Sequence, residues 1–124
     1  EILAEAVSAA TGVSVSGTGH ADLRSSYDCV VNCTPIGMEG TGTEEDLPCD
    51  IRGVASGTLV VDIVYAPEET AFIRAARAAG LPTLNGLPML IYQGALAFEL
   101  WTGRPAPLEV MRIAAAKALT SDCA

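Results

Sequence analysis

Aromatic residues make up only 5% of this 124-residue chain, and basic residues are outnumbered by acidic ones, 7 against 15, for a formal net charge of −8. An acidic surface repels nucleic acid and anionic membranes, so both are set aside as partners. Lys117 is the only lysine and His20 the only histidine. With one histidine in a polar, Gly-rich stretch and no serine or cysteine paired to it, a hydrolase triad has no support. The longest apolar run, Leu87 to Tyr92, is far too short to span a bilayer. No basic-then-apolar leader opens the chain. It begins Glu1-Ile2-Leu3-Ala4-Glu5, which reads as the middle of a helix and suggests part of a larger polypeptide. The dinucleotide fingerprint GxGxxG is absent: Gly37, Gly40 and Gly42 have GxxGxG spacing with no helix pattern after them. Nothing resembles a phosphate-binding P-loop.

Cys29, Cys33, Cys49 and Cys123 include no CxxC pair and no cluster with His20, so no metal site is expected. Cys29 and Cys33 fall in one strand-like run, where about 3.3 Å per residue places them roughly 13 Å apart. That is too far for a disulfide. Small buried thiols in a reducing cytosol are the expectation, and a cytoplasmic location goes with it.

What the chain does contain is a globular composition, half of it apolar and rich in small side chains. The length suggests one domain. Residues 1–11 read as a helix stopped by Gly12. Val13-Ser14-Val15 reads as a short strand and Ala21 to Ser26 as a helical turn. Tyr27 to Cys33 reads as a buried strand, and residues 39–57 as loop. Thr58 to Tyr65, nearly all apolar and β-branched, has the pattern of a parallel strand covered on both faces. Pro67-Glu68-Glu69 opens a helix with acids in its first turn and Arg74 and Arg77 further along, ending at Gly80. An extended piece at 81–84 precedes helices at about 87–102 and 107–119. Alternating strands and helices predict right-handed crossovers and a mostly parallel sheet.

In open α/β sheets, ligands sit outside the carboxyl ends of the strands. Those ends are Asn32-Cys33-Thr34-Pro35, Ile63-Val64-Tyr65 and Asn85-Gly86, and together they predict one binding edge built from three loops. Each has a structural reading beside the functional one. Asn-Cys-Thr-Pro is a common way to end a strand in a turn. A strand-end Tyr65 often caps a core, and Asp62 more readily bonds backbone than acts as a general acid. Trp101, near a helix end, is expected in the core. Gln93 stands in line with Met89, Ala97 and Leu100 on the helix opened by Gly86-Leu87-Pro88. A buried amide without partners costs a few kcal/mol, so it needs a backbone carbonyl, a water or a ligand.

Three segments, VNCTPIGM at 31–38, VVDIVYAPEETAFIRAARAAG at 60–80 and NGLPMLIYQGALAFELWTG at 85–103, together resemble the carboxy-terminal half of shikimate dehydrogenase. Quinate/shikimate dehydrogenases share the pattern. The resemblance spans about residues 27–118. It implies a Rossmann-like three-layer parallel sheet, here incomplete, in an oxidoreductase that interconverts 3-dehydroshikimate and shikimate with NADP, with NAD as the alternative cofactor. It implies that Asn32, Cys33, Thr34 and Pro35 lie along the cofactor and that Ile63, Gly86 and Met89 lie beside the nicotinamide. The resemblance also implies that Tyr65, with Ile63, approaches the nicotinamide and substrate and that Gln93 bonds a ring hydroxyl of the substrate. Residues 1–124 would then be a partial cofactor-binding domain whose helices at 87–119 pack toward the substrate cleft. The family's catalytic lysine and aspartate, its glycine-rich pyrophosphate loop and its reader of the 2′-phosphate lie upstream of the matched region and are absent here, so no catalytic residue is assigned. The missing amino-terminal half is the implied partner, and open strand edges invite self-association. A non-catalytic α/β binding module is the competing reading.

Overall fold

The computed structural model describes residues 2–17 and 27–121. The turn expected over 21–26, His20 and Cys123 lie outside the described residues. The elements run α1 (Ile2–Thr11), β1 (Cys29–Asn32), β2 (Leu59–Asp62), α2 (Ala71–Ala78), β3 (Thr83–Leu84), α3 (Leu87–Thr102) and α4 (Leu108–Ser121). All three strands are parallel, in the order β1-β2-β3, with Asn32 opposite Asp62 and Val60 opposite Thr83. This is the expected α/β, Rossmann-like sheet, and it is small.

Alternation along the strands decides which residues build the core. Val30 and Val60 face α2, where Phe72 and Ala76 meet Ile51 and Leu81. Phe72, Ile73 and Val60 are each at most 1% exposed, and burying such side chains contributes roughly 1.5–3 kcal/mol apiece. The opposite face is more open: Val61 is half-buried, and its neighbours Val31 and Leu84 are 48% and 45% exposed. The expectation that β2 is covered on both faces therefore holds only on the side of α2 among the described residues.

Several boundaries differ from the sequence reading. α2 begins at Ala71, because Thr70 caps it by accepting the Ile73 N–H. Glu68 and Glu69 thus precede the helix, and Glu69 pairs instead with Arg77 at 2.6 Å. Residues 13–15 form no strand; Val15 is tied to α1 through the Ser8 hydroxyl. α1 buries no residue. α3 opens at Gly86 with Pro88 in its first turn and closes on left-handed Gly103, whose N–H bonds the Glu99 carbonyl. It packs on α4, where Gly94 lies beside the end of the Met111 side chain.

Candidate functional site

β1 and β2 stop at the same level, and their last residues are bonded to each other. Asn32, 3% exposed, donates its amide to Asp62 Oδ1 at 3.0 Å and to the Ile36 carbonyl at 3.2 Å. Its Oδ1 accepts the Thr34 N–H at 3.0 Å and the Thr34 hydroxyl at 2.7 Å. Every hydrogen-bonding position of the amide is used, so Asn32 shapes the Cys33–Pro35 turn from beneath rather than presenting a free group. This is the Asx-type turn that an asparagine at a strand end favours.

The turn after β1 meets the turn after β2. Cys33, Thr34, Pro35, Met38 and Glu39 line one side of a cleft of roughly 550 Å³, and Ile63, Val64, Tyr65 and Ala66 line the other. The two sides are joined by the Glu39 N–H, which donates to the Ala66 carbonyl at 2.9 Å. Tyr65 is 41% exposed, so it is a cleft wall and not a core cap. The third loop adjoins the second: the Gly86 N–H bonds the Val64 carbonyl at 3.0 Å. Asn85 holds that corner, with its amide on the Glu68 carbonyl and its Oδ1 accepting the Leu87 N–H.

Five of the residues assigned from sequence, Cys33, Thr34, Pro35, Ile63 and Tyr65, thus share one cleft at the carboxyl edge of the sheet. Gly86 borders it through Val64. Met89 and Gln93 do not line it. Both lie on the open side of α3 with Leu96 and Leu100. The expected burial of Gln93 is overturned: its amide is exposed and donates to the Leu90 carbonyl of its own helix at 3.0 Å. Trp101 is likewise 82% exposed instead of in the core. In both cases periodicity identified an apolar helix correctly, but α4 covers only one side of it.

Met38 and Glu39 are cleft residues that the sequence reading did not assign. They are carried there by a compact loop in which the Gly37 N–H bonds the Thr43 carbonyl at 3.0 Å. Glu44 closes that loop by accepting the Gly40 and Gly42 N–H groups at 2.8 and 3.2 Å. Backbone N–H donors, its own first and then that of Gly42, hold the Glu44 carboxyl below its ordinary pKa. No residue spacing announces such a loop; only Gly37, Gly40 and Gly42, all at positive φ, hint at it.

The thiols depart from expectation. Cys29 and Cys33 are exposed and free, on the open face of the sheet and in the cleft. Cys49 is half-buried beside the core, and burial, with the neighbouring Asp50 charge, pushes its pKa up. Among the described residues no group of three or more His, Cys, Asp or Glu could hold a metal ion, and no helix is long and apolar enough to cross a membrane.

Residues 86–115 match the family described as the shikimate 5′-dehydrogenase C-terminal domain. The shikimate dehydrogenase (NADP(+)) of Desulfitobacterium hafniense is 43% identical over 101 residues, covering 82% of this chain and 36% of that protein. The chain corresponds to a carboxy-terminal part of the shikimate dehydrogenase family. Among solved structures, a shikimate dehydrogenase in complex with NADP+ superposes with a TM-score of 0.83 at 34% identity, over 95% of this chain and 42% of that one. The quinate dehydrogenase of Corynebacterium glutamicum in complex with NAD gives 0.75 at 35% identity, over 90% of this chain and 40% of that one. The chain spans about a third of the length of the curated shikimate dehydrogenases it matches.

Proposed function

We propose that this chain forms the nicotinamide-side wall of a dehydrogenase that interconverts 3-dehydroshikimate and shikimate with NADP(H), a step of aromatic amino-acid biosynthesis. The observation that carries the reading is the convergence of Cys33–Pro35 and Ile63–Tyr65 on one cleft, with Gly86 bonded to its rim.

The lining can be tested against the cofactor. It is mostly apolar, adds the Thr34 and Tyr65 hydroxyls, and contains one acid, Glu39, and no lysine or arginine. Such a wall suits a neutral planar ring and its carboxamide and offers nothing to a phosphate. Cys33, Thr34, Pro35 and Ile63 would hold the nicotinamide end, with Asn32 fixing their turn and Gly86 and Met89 at the start of α3 closing the far side. When bound, the nicotinamide supplies or accepts the hydride. The chain's own residues orient the ring, exclude water with apolar side chains and leave Tyr65 facing the substrate. Gln93, exposed and bonded only to its own helix, is free to turn toward a ring hydroxyl. Residues 1–124 act as the partial cofactor domain, with α3 and α4 directed toward the substrate cleft and the remaining part of the enzyme as partner. The free thiols fit the cytoplasm. Among the described residues β1 and β3 are each paired on one side only, which supports self-association of the isolated chain.

A second reading, quinate oxidation with NAD, is favoured by the likeness to the Corynebacterium glutamicum enzyme. Steady-state kinetics of the full-length protein with shikimate and quinate, each with NADP and NAD, separate the two. The highest kcat/KM is expected for shikimate with NADP, and a higher value for quinate with NAD overturns that assignment.

A further inference from the structure

The cleft does not explain Asp62. Its side chain is completely buried, at 0% exposure, and it does not line the cleft. A carboxylate removed from water in this way is costly unless donors surround it. Three do: the Asn32 amide at 3.0 Å, the Val64 N–H at 3.0 Å and the Thr70 hydroxyl at 2.6 Å. Each partner then bonds onward. Asn32 Oδ1 takes both the N–H and the hydroxyl of Thr34. The Val64 carbonyl takes the Gly86 N–H, and Thr70 Oγ1 takes the Ile73 N–H at the start of α2. One buried carboxylate therefore stands at the root of all three loops around the cleft.

The geometry points to Asp62 as the positioning residue of the site: through Asn32–Thr34 on one side and Val64–Gly86 on the other, it sets the separation of the two walls that receive the nicotinamide ring. It touches neither cofactor nor substrate and transfers no proton to them. Its chemistry suits the role, because a carboxylate is acceptor-only and all its neighbours present donors. An asparagine in its place must aim an NH2 either at the Asn32 and Val64 donors or at the Thr70 hydroxyl. That hydroxyl already accepts from Ile73, so its proton is directed at Asp62. The first placement sets donor against donor. The second makes the Thr70 hydroxyl turn its proton away and leaves Asn32 and Val64 a neutral amide oxygen, a weaker acceptor than a carboxylate oxygen, so both arms to the cleft weaken.

The kinetic consequence rests on the dehydrogenase reading; the mechanical one does not. Backbone hydrogen exchange of the full-length protein reads the mechanics. Asp62→Asn is expected to speed exchange at the Val64, Gly86 and Thr34 amides together, by about tenfold or more. Thr58→Val is the control, because Thr58 is equally buried at the far end of β2, where its hydroxyl bonds the Tyr27 carbonyl at 2.6 Å. It should lower Tm while leaving those three amides, and the cofactor KM, near wild type. The cofactor KM of Asp62→Asn should rise by about tenfold, reflecting a misplaced wall. Faster exchange at Val64 alone, or a KM rise matched by Thr58→Val, overturns the positioning role. Should Asp62→Asn yield no folded fraction, Asn32→Ser decides: faster exchange at Thr34, Val64 and Gly86 supports the network, and a change confined to Thr34 sinks it. A wild-type enzyme inactive on shikimate would instead refute the proposed function and leave the exchange pattern as the standing test of the network.

Discussion

Gly86 lies flat against the turn that follows β2: a methyl on its Cα would fall 2.0 Å from the Ile63 carbonyl oxygen. Its backbone, at φ −76° and ψ −11°, is ordinary helical geometry, so glycine is required by space and not by conformation. The obstructing atom is backbone and cannot rotate away. Gly86→Ala must push the start of α3 off the Ile63–Tyr65 turn, at a cost of roughly 1–3 kcal/mol. Urea denaturation should show the loss in midpoint with an unchanged slope. A stability equal to wild type would mean that α3 is not seated on Ile63.

Acid should loosen the loop that carries Met38 and Glu39 into the cleft. Glu44 has a folded pKa below the ordinary value of 4.5, so the stability it lends its loop is present above that ordinary pKa. That stability is lost as pH falls through the lower, folded value. Exchange protection of the Gly40 and Gly42 amides, which donate to Glu44, should therefore fall on the acid side of pH 4.5. Glu44→Gln should remove that pH dependence, with the loop weaker than wild type above pH 4.5 and similar to it in acid. A Gln variant that retains the wild-type pH profile would assign the transition to another carboxylate.

The 124-residue chain by itself should neither turn over shikimate nor hold NADP tightly. Its cleft presents Glu39 and no basic side chain, and Lys117, the only lysine, lies exposed on α4. With the phosphates unserved, calorimetry at about 1 mM NADP should detect no saturating heat, since affinity there would be weaker than roughly −4 kcal/mol. Micromolar binding would reveal a phosphate site within these residues.

The parallel sheet was legible because its signals are local. β-branched pairs at 30–31 and 60–61 mark strands, and Gly12, Gly80 and Gly103 mark helix ends. The three-loop edge followed from topology alone, and Cys33, Thr34, Pro35, Ile63 and Tyr65 from two of its loops do line one cleft. What failed was burial, because periodicity says which face of a helix is apolar and not whether anything covers it. Gln93 and Trp101 were read as enclosed on that ground, and among the described residues they are open. Asp62 was read as bonding backbone, and it does accept the Val64 N–H, but its wider role was not legible. Its three donors come from β1, from the turn after β2 and from the cap of α2, and such a convergence is visible only once the strands are in register.

Gln93 carries the last prediction, and its exposure sharpens it. A side chain that is open to solvent and bonded only to the Leu90 carbonyl of its own helix contributes little to folding, so Gln93→Ala should change stability by less than about 0.5 kcal/mol. On the proposed role of the amide in the full-length enzyme, truncating it would leave a substrate hydroxyl unpaired, at a cost of roughly 1–3 kcal/mol. The result is a loss of about five- to two-hundred-fold in kcat/KM for shikimate. The cofactor KM should move much less, because the cleft that receives the ring does not include Gln93. Kinetics and a thermal melt on the same preparation check both halves. An unchanged kcat/KM would remove Gln93 from the substrate site, and a large drop in Tm would mean that the rest of the enzyme covers this face of α3 with protein rather than with substrate.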